Sequence, residues 1–181
     1  MKYNRVGRTG LKISNVALGS WLTFGKTVDQ ATCNEIVKAA FSAGINFIDT
    51  ADVYSMGSSE SALGEALKGV RRKGYVLGTK VFWPTGEGPN DKGCSRKHLM
   101  ETIDESLERL KTRYVDLYSC HRFDPDSDLR ETVHAMEDIV RSGRALYWGV
   151  SVWTGQQMRD AMKIAREIGG YGPVCNQPQY N

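Results

Sequence analysis

Asn46-Phe47-Ile48-Asp49-Thr50-Ala51-Asp52-Val53-Tyr54 is the stretch that decides the fold. A short apolar run ends at once in an acid, with a tyrosine soon after, the profile of a buried strand whose far end opens into a polar site. The same profile recurs. Tyr75-Val76-Leu77 leads to Lys80, Tyr114 to Tyr118 leads to His121, Tyr147 to Val150 leads to Ser151, and Val174-Cys175 leads to Gln177. Between consecutive runs lies a segment of helical period, and strand alternating with helix predicts a parallel sheet. The polar residues follow one another at roughly 25 to 40 residues, about one strand-helix unit each. Candidates at the C-terminal ends of successive strands are where a (β/α)8 TIM barrel keeps its chemistry.

Outward from this core, Tyr3 to Val6 and Leu11 to Ser14 flank a turn containing Gly7, Thr9 and Gly10 and predict an opening β-hairpin. A first barrel strand is expected over Val16 to Leu18, ending at Gly19-Ser20-Trp21. Helices are expected from near Asp29 to Gly44, from about Ser59 to Lys68, from a Ser95 cap through Leu110, from Leu129 to Gly143, and from a capping box of Thr154 and Gln157. Met136, Met158 and Met162 fall at helical spacing and read as core. His98 and His134 lie within helices and read as solvated or capping. The stretch Trp83-Pro-Thr-Gly-Glu-Gly-Pro-Asn-Asp-Lys-Gly93 is too rich in glycine and proline for regular structure and is a candidate substrate wall. No linker or composition shift interrupts residues 1–181, so one domain is the economical reading.

Composition narrows the function classes. The chain has 181 residues, is 40% hydrophobic and 25% charged, and carries a formal net charge of +3 from 24 basic and 21 acidic residues spread along it. Basic clusters are short, Arg71-Arg72-Lys73 being typical, which fits a solvated surface better than a nucleic-acid footprint. No apolar stretch reaches the roughly 20 residues that span a bilayer, and the polar N-terminus does not resemble a secretory signal, so a cytoplasmic location without membrane insertion is expected. Cys33, Cys94, Cys120 and Cys175 form no CxxC pair, so neither a disulfide framework nor a metal site is expected.

The candidates make chemical sense as a proton-donating group. Tyrosine is a weak acid, with an ordinary pKa of roughly 10, and must be assisted to protonate a carbonyl oxygen at neutral pH. A lysine ammonium beside the phenol stabilises phenolate, and a carboxylate anchors that lysine. Lys80 and Asp49 suit those roles for Tyr54, while His121, from the next strand, can donate a hydrogen bond that orients the carbonyl. Taken alone, Asp49 with Lys80 reads as a structural ion pair and Tyr54 as packing; the joint placement favours chemistry. Cys120 as a nucleophile is disfavoured, since neighbours on a strand point to opposite faces.

With these residues in view the chain resembles an aldo-keto reductase, closest to the branch of voltage-gated potassium channel β subunits and their bacterial relatives. The resemblance rests on Asn46 to Tyr54, Gly78-Thr79-Lys80, Ser95-Arg96-Lys97-His98, Tyr114 to Tyr118 with His121-Arg122, Tyr147 to Trp153, and Pro173 to Asn181, which resembles the family's sixth strand. It implies a TIM barrel truncated to about six strands behind an N-terminal hairpin, strands seven and eight being absent. It also implies the tetrad Asp49, Tyr54 as proton donor, Lys80 and His121. A nicotinamide cofactor, NADPH, is implied, with Ser151 and Gln177 on its carboxamide, Asp49 close by, and Ser20 and Trp21 beside cofactor and substrate. There is no GxGxxG after a strand, in keeping with a family that binds the dinucleotide without a Rossmann domain.

Two departures follow from the same comparison. Val152 stands where most members have asparagine and channel β subunits have arginine, and His121 stands where channel β subunits have asparagine. The resulting expectation is a reductase of aldehydes or ketones acting on a small carbonyl substrate, without nucleic acid, and with homo-oligomerisation left open. The alternatives are a cofactor-sensing, channel β-subunit-like binding protein and an inactive truncated fragment.

Overall fold

Alternation of inward and outward side chains along short parallel strands organises the molecule, which a computed structural model describes over residues 1–179. The hairpin forms from β1 (Tyr3–Arg5) and β2 (Lys12–Ser14), paired antiparallel with Tyr3 opposite Ser14. Five strands follow: β3 (Leu18–Gly19), β4 (Phe47–Asp49), β5 (Val76–Val81), β6 (Val115–Cys120) and β7 (Ala145–Val150). They bond in chain order, each parallel to the next. Because the order never reverses, there is no switch point of the doubly wound kind, and the arrangement is that of an open TIM barrel.

Helices α1 (Gln30–Ser42), α2 (Ser58–Ala66), α3 (Arg96–Arg109), α4 (Leu129–Arg141) and α5 (Gly155–Glu167) link the strands. Their ends obey local chemistry. Asp29, Ser95 and Asp128 accept backbone N–H bonds as N-caps, and Thr154 with Gln157 closes the capping box. Gly69 and Gly143, just beyond α2 and α4, adopt the positive φ that ends a helix cheaply.

Two apolar clusters lie on the two faces of the sheet. The larger packs Ile48, Leu77, Val81, Tyr118, Cys120, Trp148 and Val150 against helix residues such as Leu63, Leu99, Ile103, Val133 and Met136. The smaller gathers Phe47, Val76 and Leu117 on the opposite face, with Leu11 and Ile13 of the hairpin packed on them. The hairpin thus floors the end of the barrel opposite the strand C-termini.

Some expectations shift. The first strand lies at Leu18–Gly19 rather than at Val16, which is exposed. The sixth is reduced to one parallel bridge, Val150 to Asn176, with bonds from Val174 N to Trp148 O (2.9 Å) and Gln177 N to Val150 O (2.9 Å). Pro173 and Pro178 bracket this short segment and supply no N–H, which limits the ladder; Tyr180 and Asn181 of the expected strand lie outside the described residues. Met136 is core, while Met158 is only partly buried at its margin. His98 is buried rather than solvated, its Nδ1 lying 3.2 Å from the Thr102 hydroxyl.

Candidate active site

Strand alternation delivers the polar residues. With Phe47 turned to the barrel interior, Asp49 points the same way, and Val76, Gly78 and Lys80 do likewise on β5. The outcome is a cleft of about 500 Å³ at the C-terminal ends of the strands, with Trp21, Asp49, Tyr54, Lys80, His121, Ser151 and Gln177 among its lining residues. Gly149 lets the last segment pack closely on β7 at that level: a Cβ there would lie 2.7 Å from Cys175 Sγ.

Lys80 is the centre of the group. Its Nζ donates to Asp49 Oδ2 at 2.5 Å and to the Thr50 carbonyl at 2.9 Å, and its side chain is 5% exposed against 24% for Asp49. Gln177 Nε2 donates to the other carboxylate oxygen of Asp49 at 3.3 Å. The ammonium lies 5.3 Å from the centre of the Tyr54 ring. That ring meets His121 edge to face at 5.8 Å and stacks on Trp21 at 6.1 Å. The Tyr54 hydroxyl makes no hydrogen bond among the described residues and is left for the cleft.

His121 is an uncharged imidazole. Burial is the largest influence, and with the positive charges of Lys80 and Arg122 it pushes the pKa down to about 3. Its Nδ1 is buried without a partner among the described residues. Ser151 Oγ donates to the Gln177 carbonyl at 3.0 Å, joining the two residues across the opening between β7 and the last segment. Ser20 is the exception among the candidates. It is fully buried, its hydroxyl donating to Thr50 Oγ1 at 2.8 Å and accepting from Ser59 Oγ at 2.7 Å, so it braces the loop behind the cleft while Trp21 reaches the opening.

Of the long loop expected to wall the substrate, Trp83 reaches the cleft and places its ring 6.3 Å from His121. Other lining residues escaped the sequence reading. Arg122 and Val53 also contribute to the wall. Arg122 had a signal available, since it directly follows His121 at the end of β6. Val152 sits at the rim with φ of 57°, the left-handed region, where a β-branched residue is strained and asparagine is at ease. The loop after Tyr54 is more unusual: Ser55 (φ 51°), Met56 (φ 49°) and Gly57 (φ 83°) are consecutive left-handed residues.

Beneath that loop lies a second polar cluster. Asp52 accepts the Val53 N–H through Oδ1, but Oδ2 is buried without a partner among the described residues. Burial first, and then the neighbouring Glu60 carboxylate, raises the Asp52 pKa to about 8. A carboxyl whose folded pKa lies above its unfolded value near 3.8 holds a proton in the native state that the unfolded chain has lost. Stability therefore falls as pH rises from about 4 towards 8, and the full cost persists above. Local opening of the loop to water limits that cost, so Asp52→Asn is expected to exceed the parent by about 1–2 kcal/mol at pH 9 and to match it near pH 4. Urea unfolding midpoints across that range provide the check; parallel profiles for the two proteins would contradict it.

The sequence model of the aldo/keto reductase family matches residues 15–181. The chain is 43% identical over 183 aligned residues to a probable voltage-gated potassium channel subunit beta of Oryza sativa subsp. japonica, and equally to a protein of that name from Arabidopsis thaliana. Each alignment takes in all of this chain and 56% of the relative, so the chain spans a little over half the length of the curated relatives it matches. Strand ends that line the cleft and helices that pack behind them fall within the same match, and the chain belongs to the aldo/keto reductase family.

Proposed function

We propose that this chain carries the catalytic part of an NADPH-dependent reductase that converts aldehydes or ketones to alcohols. The observation that carries the reading is Lys80, whose ammonium bridges Asp49 and the face of Tyr54. A positive charge held there by a carboxylate favours the negative charge that develops on the phenol oxygen as it gives up its proton. Tyr54 delivers that proton to the carbonyl oxygen. His121, uncharged, has an N–H to donate to the same oxygen and does not compete as an acid. Trp21 and Trp83 add flat apolar surface to the wall of the cleft beside these groups.

The residues present suit a nicotinamide. Ser151 brings a hydroxyl, and Gln177 a side-chain amide able both to donate and to accept, to one side of the cleft, a set that complements a carboxamide. When bound, NADPH would supply hydride to the carbonyl carbon. The direct test follows loss of NADPH absorbance with a small neutral aldehyde, alongside a fluorescence titration of NADPH. Binding without turnover of any aldehyde or ketone would count against the reductase.

A second reading, a cofactor-sensing subunit of a membrane channel, is favoured by the names of the two plant relatives. His121, in the position where channel β subunits are expected to carry asparagine, supports the first reading. Capture of a channel protein that changes between NADPH and NADP+ would support the second.

Lys80→Met separates catalytic from merely structural pairing. It is expected to reduce turnover about 10- to 100-fold and to cost roughly 1–3 kcal/mol, less than a fully buried pair because Asp49 keeps some contact with water. A melt and a rate both unchanged from the parent would show that the pair does not form in solution.

A further inference from the structure

We propose that Arg122 makes this cleft a receptor for carbonyl compounds that also carry a carboxylate, a substrate class that rests on the reductase reading above. Four arginines of the described chain are half-buried: Arg72, Arg109, Arg122 and Arg144. Three of them face a carboxylate, Arg72 on Asp116 at 2.7 Å, Arg109 on Glu60 at 2.7 Å and Arg144 on Asp104 at 2.9 Å. Arg122 alone has no carboxylate within 4.0 Å among the described residues.

Its setting fixes it in the wall of the cleft. One nitrogen, Nη1, donates to the His121 carbonyl at 2.5 Å and lies 3.4 Å from Ser151 Oγ, and the guanidinium carbon stands 5.5 Å from the centre of the Trp83 ring. Anchoring through Nη1 and the Trp83 face leaves the remaining N–H donors of the fork for a ligand. The charges of the lining point the same way. Lys80 is neutralised by Asp49 and His121 is uncharged, so the excess positive charge of the cleft resides on Arg122. A partly desolvated guanidinium without a counter-ion is costly to keep, and an incoming carboxylate relieves that cost, bidentately if its geometry allows.

Trp83 beside the guanidinium favours a flat group between carbonyl and carboxylate. The probes are therefore 3- and 4-carboxybenzaldehyde against the corresponding carbamoylbenzaldehydes, which match in shape and lack the charge. The better-placed carboxylate isomer is expected to have kcat/KM at least tenfold above its carbamoyl partner. In Arg122→Met the loss should be at least tenfold greater for the carboxylate than for the carbamoyl aldehyde, with Arg122→Lys intermediate. Equal losses for both would make Arg122 a brace for His121 and Ser151 and overturn the proposal. So would a parent enzyme that fails to distinguish the paired aldehydes. An anion site here has a second candidate occupant, a cofactor phosphate; if the variant weakens NADPH in a fluorescence titration and spares the aldehyde preference, the substrate assignment is wrong.

Binding without chemistry separates this proposal from the reading beneath it. Benzoate should quench tryptophan fluorescence with an affinity at least tenfold above that of benzamide, and Arg122→Met should abolish the difference. If no aldehyde is turned over but that difference holds, the reductase reading fails and the anion site stands. If the two ligands bind alike, the anion site falls whatever the enzyme reduces.

Discussion

Tyr54→Phe is expected to lower turnover of a small aldehyde by about 10² to 10⁴-fold, the range typical of a lost general acid, while NADPH affinity changes less than about threefold. The substitution removes a single oxygen. The ring that stacks on Trp21 and meets the edge of His121 remains, so the cleft keeps its walls. Because the hydroxyl bonds to no described residue, its loss strands no partner and stability should hold within roughly 0.5 kcal/mol. A fall in kcat with KM little changed marks an interaction used in the transition state rather than in binding. Steady-state kinetics, an NADPH titration and a thermal melt on parent and variant together decide it. Turnover within threefold of the parent would exclude Tyr54 as the acid and leave water to supply the proton.

The strand positions of this site were legible because apolar runs ending in a polar residue reflect two constraints at once. A buried parallel strand needs apolar side chains on both faces, and only its last residues can be polar and still reach solvent. Asp49, Lys80, His121 and Ser151 obey that rule, and the structure gathers all of them with Tyr54, Trp21 and Gln177 at one cleft. Ser20 obeyed it in sequence but not in space. It directly precedes Trp21, and that single step turned its hydroxyl towards Thr50 and Ser59 instead of the opening.

What stayed hidden depends on contacts distant in sequence. Glu60 sits in a polar run, Ser58-Ser59-Glu60-Ser61, that reads as a solvated helix start, yet it is wholly buried because Arg109 arrives from the end of α3. The solvated or capping role expected of His98 shows a similar limit: a polar residue in the first turn of a helix is exposed unless another element covers it, and His98 is buried. The sixth strand was marked by Val174-Cys175, but its ladder depends on neighbours that a local pattern does not specify. Backbone strain is equally silent in sequence, and the left-handed run Ser55-Met56-Gly57 carries no cue beyond its glycine.

Arg109→Met should be the most damaging change outside the cleft. Glu60 is fully buried, one oxygen accepting the Thr79 hydroxyl at 2.6 Å and the other Arg109 Nε at 2.7 Å. Burial disfavours the charge of Arg109, yet Glu60 and then Glu105 outweigh it and hold the guanidinium proton more firmly than usual. The side chain also closes over the start of α2, where a Cβ on Gly57 would come within 2.8 Å of Arg109 Cδ. Without the guanidinium, Glu60 and Asp52, whose Oδ2 has no partner among the described residues, would be neighbouring buried carboxyls with no cation beside them. Removing one member of a buried pair typically costs about 3–5 kcal/mol, which for a domain of this size lowers the melting temperature by roughly 6–20 °C. Glu60→Gln combined with Arg109→Met should recover much of that loss, because it removes the stranded charge rather than restoring the pair. Activity should fall with stability, since Glu60 lies in the first turn of α2, directly after the strained loop that carries Tyr54. Calorimetry on the parent, the single variant and the double variant separates these contributions. A single variant melting within about 2 °C of the parent would mean that the Tyr54 loop is held by its own backbone bonds, Ser58 N to Ser55 O and Ser59 N to Tyr54 O, rather than by the ion pair beneath it.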